Sequence, residues 1–339
     1  MAKSFGGGIR HIPSDFKNQI TPQTGADEKA EVVFPPLEGS INDYKPSDLF
    51  ETICSRGVGL VANTRQAESL TVNFAETDIG ICTSALLAVT YPDRVVRGAA
   101  IIMKALGIRS CILAVPSDME KCAKRLSKYS DRFSFMKIKT TAPQYPMYDP
   151  HCVISALYGV EINGAKNTAD KKYMVVSPAL CCAVYEALVL GFGPGKYVSV
   201  GGSSVKNAIL VRLEPDEDII SAAEGIEGSV IFGGEIKGTP EKRETDGLLV
   251  MKKAAPKKVT TSCTRCGKCD LVCPMRLTPS MIHLYLSAGR YSGDLPLASC
   301  ISCGCCSYVC PSGIDVRNEI SDHLKNEILT EEDNDEKQD

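Results

Sequence analysis

The chain has 339 residues, 38 Lys plus Arg against 41 Asp plus Glu, and a formal net charge of −3, with 44% hydrophobic and 23% charged residues. Length and apolar content allow more than one packed domain and exclude a disulfide-stapled miniprotein or a wholly disordered chain. The balanced charge gives no global attraction to nucleic acid, and no apolar run reaches the ~18 residues a bilayer span needs. The start, MAKSFGGGIRHIP, has no apolar h-region, so a reducing, cytoplasmic setting is expected.

In that setting the 16 cysteines read as metal or redox ligands rather than as a disulfide framework. Seven lie at or before Cys182, and these, including the adjacent Cys181 and Cys182, read as small buried hydrophobes. The other nine fall between Cys263 and Cys310.

In chain order, residues 1–45 read as an irregular leader rich in Gly and Pro. Residues 46–195 alternate helix and strand. Tyr91-Pro92-Asp93 starts a helix whose apolar positions run Val95, Val96, Ala99, Ile102, Met103 and Leu106, with Gly107 placed for a left-handed end. A buried strand follows at Cys111–Val115, then a helix over Asp118–Tyr129 capped by Ser117, a strand marked by Phe133, Phe135 and Ile138, and another over Tyr173–Ser177 before a helix from Pro178. The pattern predicts an α/β domain with a mostly parallel sheet.

From 196 to 253 the runs YVSVGG, AILVRL, SVIFGG and GLLVMKK predict a small β-rich domain with one helical piece near Asp218–Glu224. A basic linker opens the region 254–328, and 329–339 reads as an acidic disordered tail.

The chemistry is carried by Cys263-x2-Cys266-x2-Cys269-x3-Cys273-Pro274 and its repeat Cys300-x2-Cys303-x2-Cys306-x3-Cys310-Pro311. This is the bacterial ferredoxin run, in which the fourth cysteine ligates the other cluster of a two-cluster protein. Two [4Fe-4S] clusters follow, one on Cys263, Cys266, Cys269 and Cys310, the other on Cys300, Cys303, Cys306 and Cys273. Zinc is the other reading of paired cysteine runs, but zinc ribbons lack the proline after the fourth cysteine. Cys305 is surplus to both sets, its thiol expected to point away from the cluster. His283 lies on the helix between the runs and reads as packed or exposed rather than as a ligand. Between Lys252 and Leu277 seven Lys or Arg face a single Asp270. They compensate the anionic clusters or guide an acidic redox partner.

With these residues in view, the order of an α/β domain, a small β-rich domain and a dicluster segment resembles the RnfC family, a component of the Rnf ion-translocating electron-transport complex. SCTRCGKCDLVCPMRLTPSMI and LASCISCGCCSYVCPSGIDVRNEI resemble the family's cluster segments, and YVSVGGSSVKNAILVRLEPDEDIISAAEG its ligand-binding β-grasp domain. The resemblance implies an α/β domain of the FMN/NADH type, a β-grasp domain and a C-terminal helical dicluster ferredoxin domain. It also implies partners: other Rnf-type subunits, among them integral membrane subunits and a ferredoxin-like iron-sulfur subunit. This chain then sits on the cytoplasmic face of the cell membrane without a span of its own.

Three departures bear on mechanism. Where family members hold FMN with a loop of the type GLGGAGFPT, this chain has SRGVGLVANTRQ, Ser55–Gln66, with only Gly57 and Gly59. Backbone N–H groups need such glycines to approach a phosphate. The family's NGAECEPY stands here as NFAETDIG, keeping Asn73, Glu76 and an acid at Asp78, and its YPQGGE as YPMYDP from Tyr145. The expectation is a degenerate FMN site near Gly57, Gly59, Glu76 and Asp78, and an electron relay between ferredoxin-linked subunits and an acceptor. The rivals are an FMN-dependent NADH dehydrogenase subunit of the same complex and an adaptor of a soluble reductase.

Overall fold

The computed structural model describes residues 9–10, 20–28, 30–59, 67–161, 172–239, 241–242, 245–253, 259–291 and 296–335. The loop residues 60–66 of the expected flavin cradle lie outside them. The chain divides into two compact units near residue 255.

In the larger unit, helix α1 (Pro46–Ser55) precedes strand β1 (Ser69–Asn73), α2 (Thr83–Thr90), α3 (Pro92–Leu106), β2 (Ser110–Pro116), α4 (Glu120–Ser130), β3 (Met136–Thr141), α5 (Pro150–Tyr158), β4 (Tyr173–Val176) and α6 (Pro178–Tyr185). The strands form one sheet in the order β3-β2-β1-β4, every pair parallel. All five residues of β1 are buried, as a central strand covered on both faces requires. Leu70 and Val72 enter the main core with α2, α3 and α6, while Ser69 and Thr71, on the opposite face, meet the Tyr158 hydroxyl of α5.

Helix α3 has Pro92 at its first turn with Asp93 beside it, and Gly107 ends it at φ 71°. It crosses α6 so closely that a Cβ on Gly98 would lie 1.8 Å from the Cys181 carbonyl oxygen. The cysteines on this contact, Cys181 and Cys182, are fully buried, and burial pushes both thiols far up. Helix α6 widens into a π-helical turn, Glu186–Leu190, before Gly191.

Two local expectations shift. Ser117 is not a cap: its N–H donates to the Thr141 carbonyl at the end of β3, and α4 starts at Glu120 with no side-chain cap. The third strand starts at Met136, because Phe133 and Phe135 pack on each other in the preceding turn.

The same unit holds a second sheet of β5 (Lys196–Gly201), β6 (Ile209–Leu213), β7 (Ser229–Phe232) and β8 (Gly247–Met251), in the order β6-β5-β8-β7. The central pair is parallel and each carries an antiparallel outer strand. A 3-10 helix, Ile219–Ala223, closes its small core of Val198, Val200, Phe232, Leu248 and Val250.

A buried charge network ties these parts together. Glu186 accepts hydrogen bonds from Arg94 (2.9 Å), the Tyr197 hydroxyl (2.6 Å) and Arg212 (3.3 Å), while Arg94 also reaches Asp27 at 2.7 Å. It joins the leader, α3, the π-helical turn and both central and edge strands of the second sheet.

The smaller unit contains α7 (Lys268–Leu271), α8 (Pro279–Ser287), α9 (Cys305–Tyr308) and α10 (Val316–Asp335) around Leu277, Ile282, Leu297, Ile314, Val316 and Ile320. Helix α10 continues to Asp335 through the start of the segment expected to be an unstructured tail. Leu and Glu both favour helix there, and a helix already begun at Val316 propagates without a new nucleus. His283 pairs with Glu319 at 2.7 Å, joining α8 to α10. Among the described residues no helix is long and apolar enough to cross a membrane.

Candidate metal centre and ligand cleft

The two cysteine runs stand 37 positions apart, and the backbone repeats at the same interval. Arg265 and Ser302 both take left-handed φ, 55° and 51°, as do Gly267 and Gly304, 70° and 83°. The short helices α7 and α9 follow these glycines in equivalent register. The Asp270 carboxylate accepts the Ser280 N–H at the start of α8, and the Ser307 hydroxyl accepts the Arg317 N–H at the start of α10. Each run therefore turns tightly through its first three cysteines and hands over to a helix capped from the run itself.

The second run closes on a cavity. Cys273 of the first run lines it together with Cys300, Cys303 and Cys306 of the second, the set expected for one cluster. Cys305 lines the same cavity and is fully buried. Helix α9 starts at Cys305.

The other four cysteines are more open, Cys266 being exposed. The segments before Cys263 and after Cys310 are held side by side: the Thr261 N–H donates to the Ser312 carbonyl at 2.9 Å and the Ser312 hydroxyl to the Ser262 carbonyl at 3.0 Å.

Backbone amides are aimed at the sulfurs. Arg265 donates to Cys263 Sγ at 3.4 Å, Lys268 to Cys266, Ser302 to Cys300, and Met275 and Leu277 to Cys273. Such donation stabilises thiolate over thiol, and for the exposed Cys266 it lowers the pKa. Where burial dominates the thiols rise, Cys273 to about 11 and Cys306 to about 12, so loading a metal releases protons there. Among the described residues no three Cys, His, Asp or Glu side chains meet around a single ion position.

A separate cleft lies at the end of the parallel sheet. The chain runs from β1 outward through β2 and β3, then returns to place β4 on the other side of β1. The crevice between the carboxyl ends of β1 and β4 is thus a topological switch point, where open α/β sheets bind ligands. A cleft of about 400 Å³ opens there, its floor at Asn73, Glu76 and Val176 and its wall at Tyr148, Leu180 and Lys196. That volume lies within the roughly 300–1,000 Å³ of small-molecule sites.

The residues carried over from the flavin motif are committed to the backbone. Glu76 accepts the N–H groups of Ser84 (3.1 Å) and Ala85 (2.8 Å), capping α2. Burial pushes its carboxyl up to about 8 against those two bonds. Asp78 accepts from Ile79, Ile236 and Lys237 at 2.7–3.0 Å, which pins the turn after β7 to the end of β1. Asn73 donates to the Met147 and Tyr148 carbonyls. Gly57 takes left-handed φ, 81°, and around Gly59 nothing lies within 4 Å of a Cβ position.

Lys196, Tyr148 and Leu180 were not legible as cleft residues, because they come from three segments that only the sheet order brings together. The caps Asp270 and Ser307 carried a signal, their equivalent places in the 37-residue register.

Residues 58–186 match the family model described as the Nuo51 FMN-binding domain. The RnfC component of the Na(+)-translocating ferredoxin:NAD(+) oxidoreductase complex of Acetobacterium woodii is 26% identical over 236 residues, 65% of this chain and 53% of the relative. The corresponding component of the ion-translocating oxidoreductase complex of Rhodobacter capsulatus is 27% identical over 241 residues, 66% and 46%. That of the proton-translocating ferredoxin:NAD(+) oxidoreductase complex of Clostridium ljungdahlii is 27% identical over 209 residues, 57% and 45%. The chain spans about half the length of the curated relatives it matches. Two crystal structures of NAD+-reducing [NiFe]-hydrogenase, air-oxidised and H2-reduced, share the fold with TM-scores of 0.56 and 0.54 at 13% identity, over 94% of this chain and 66% of theirs. The likeness read from the motifs therefore extends over 57–66% of this chain, which is a relative of the RnfC components of the ion-translocating oxidoreductase complexes.

Proposed function

We propose that this chain is an electron-transfer subunit of an Rnf-type complex, relaying single electrons through two [4Fe-4S] clusters while partner subunits translocate ions. The 37-residue repeat carries the reading: two runs of four thiols share one backbone path, and Cys273 lies among the thiols of the second run. Cys263, Cys266, Cys269 and Cys310 would hold one cluster, Cys300, Cys303, Cys306 and Cys273 the other, in a helical ferredoxin-type module. When bound, such clusters take up and release one electron each. The protein's part is to supply thiolates, to aim amides at them and to bury one site more than the other. The four-stranded mixed sheet is read as a β-grasp domain. Electrons pass between ferredoxin-linked subunits and an acceptor, on the cytoplasmic side of the membrane. Anaerobic reconstitution tests this directly: about eight irons per chain are expected, and four would sink the pairing of the runs.

A second reading is an FMN-dependent dehydrogenase subunit, favoured by the match to an FMN-binding domain and by the switch-point cleft. The apolar wall of Val175, Val176, Leu180 and Ala183 suits a flat ring, and Lys196 lies at the rim. Against it stand the sparse glycines of the Ser55–Gln66 loop and the commitment of Glu76 and Asp78 to backbone amides. Without flavin, hydride from NADH has no route into one-electron clusters. Titration with FMN and then NADH decides between the two readings.

A further inference from the structure

The two cysteine runs sit in opposite surroundings. Cys303 and Cys306 of the second are buried, whereas Cys266 of the first is exposed. Arg265 and Lys268 flank Cys266 and Arg276 follows Cys273, all three exposed. Asp270 is the single acid between residues 259 and 291, and its carboxylate is committed to the head of α8, where it accepts the Ser280 N–H at 2.9 Å and the Ser280 hydroxyl at 2.6 Å. Glu319, which α10 brings to α8, is paired with His283. The three cations therefore have no uncommitted carboxylate in their own segment. The Asp270–Ser280 bonds also hold the end of α7 at the start of α8. Large apolar side chains are open to water there: Leu271 is 74% exposed, Met281 43% and Tyr285 41%. Leu271 and Met281 are the next residues after the bonded pair, and Met281 and Tyr285 share one face of α8, a turn apart.

We propose that this face, with Arg265, Lys268 and Arg276 as its charges and Leu271, Met281 and Tyr285 as its apolar part, docks an acidic electron-carrier protein that exchanges one electron with the first cluster. The inference rests on the two-cluster reading and names which cluster meets the partner. Electron tunnelling falls off steeply with distance, so exchange between proteins needs a redox centre near the surface, and the run with the exposed thiol is the open one. Cations at such a face steer an acidic partner to it, while a few apolar side chains exclude water once it has docked. A second copy of this chain would bring like charges together. An anionic membrane would also match the charge, but helices that lie on membranes carry Lys and Arg along their polar face, and α8 has neither. In the exchange one electron leaves the reduced carrier and enters the chain at the first cluster; no bond forms or breaks and no proton moves.

The test uses the anaerobically reconstituted full chain, with a small acidic bacterial ferredoxin as the probe. Calorimetry reads binding, and stopped-flow mixing with the reduced probe reads the second-order rate, each at low and high salt. The native chain is expected to bind the probe and to react more slowly as salt rises. Lys268→Glu with Arg276→Glu should keep about eight irons, lower the low-salt rate by about tenfold or more and flatten its salt dependence. Leu271→Gln should weaken binding and leave the salt dependence as in the native chain. Lys124→Glu on α4 makes the same kind of charge change in the larger unit and should leave the rate near the native value. An unchanged rate in the double variant overturns the proposal, and so does a native chain that does not bind the probe or reacts at a rate indifferent to salt. Binding to phosphatidylglycerol vesicles through the same residues, without binding of the probe, would overturn it in favour of a membrane. Uptake of fewer than about eight irons by the native chain would remove the two-cluster reading, while calorimetry with the probe still decides whether the face docks an acidic protein.

Discussion

Removing the charge of Glu186 tests how the larger unit is held together. Glu186 is 2% exposed and Arg212 3%, and the carboxylate accepts from Arg94, Tyr197 and Arg212 at once. Glu186→Gln keeps the shape and deletes the charge, leaving a buried guanidinium short of one partner. Breaking a buried pair in this way costs about 3–5 kcal/mol. The lower end applies here, because Arg212 keeps Glu214 and the Gly193 carbonyl, and Arg94 keeps Asp27. For a domain of this size about 3 kcal/mol lowers the melting temperature by roughly 6–12 °C. The control is Asp218→Asn, which breaks the Lys242–Asp218 pair with side chains 62% and 45% exposed and should move the melting temperature far less, because water screens that pair. Thermal melts followed by circular dichroism on the full chain give both shifts. A Glu186→Gln shift no larger than that of Asp218→Asn would refute the network as a brace.

Other outcomes follow from single features. Gly98→Ala should leave little folded protein in expression trials, because its Cβ would stand 1.8 Å from the Cys181 carbonyl oxygen and α3 cannot move off α6 without opening the core. Cys269→Ser should reduce iron uptake to about half of the native eight while sparing the second cluster's signal, as iron and sulfide analysis would register. Purified chain titrated with FMN should show no one-to-one binding and no cluster bleaching on NADH addition; tight binding with rapid bleaching would establish the dehydrogenase reading. Burial raises Asp27, but hydrogen bonds from Tyr91 and Arg94 outweigh it and hold the carboxyl below its ordinary range. A carboxylate depressed in the folded state contributes stability that is full above the unfolded value, near pH 4, and is lost as pH falls through the folded one. Acid unfolding of Asp27→Asn should therefore be shallower than that of the native chain below about pH 4.

The chemistry of the cysteine runs was legible in the sequence because ligand spacing is local: three thiols within seven residues are brought together by one turn, whatever surrounds it. The same holds for α3, where Pro92, a periodic apolar face and Gly107 all act within a few residues of themselves. Tertiary structure decided what depends on elements distant in the chain. Glu76 and Asp78 look like ligand-binding acids in NFAETDIG, yet the amides that claim them belong to α2 and to the turn after β7, up to 159 residues away. Cys305 was surplus by spacing alone, and only the folded chain buries it beside the cavity that Cys303 lines. The cleft exists because β4 returns to the far side of β1, and strand order is set by long-range burial that no local run of residues records.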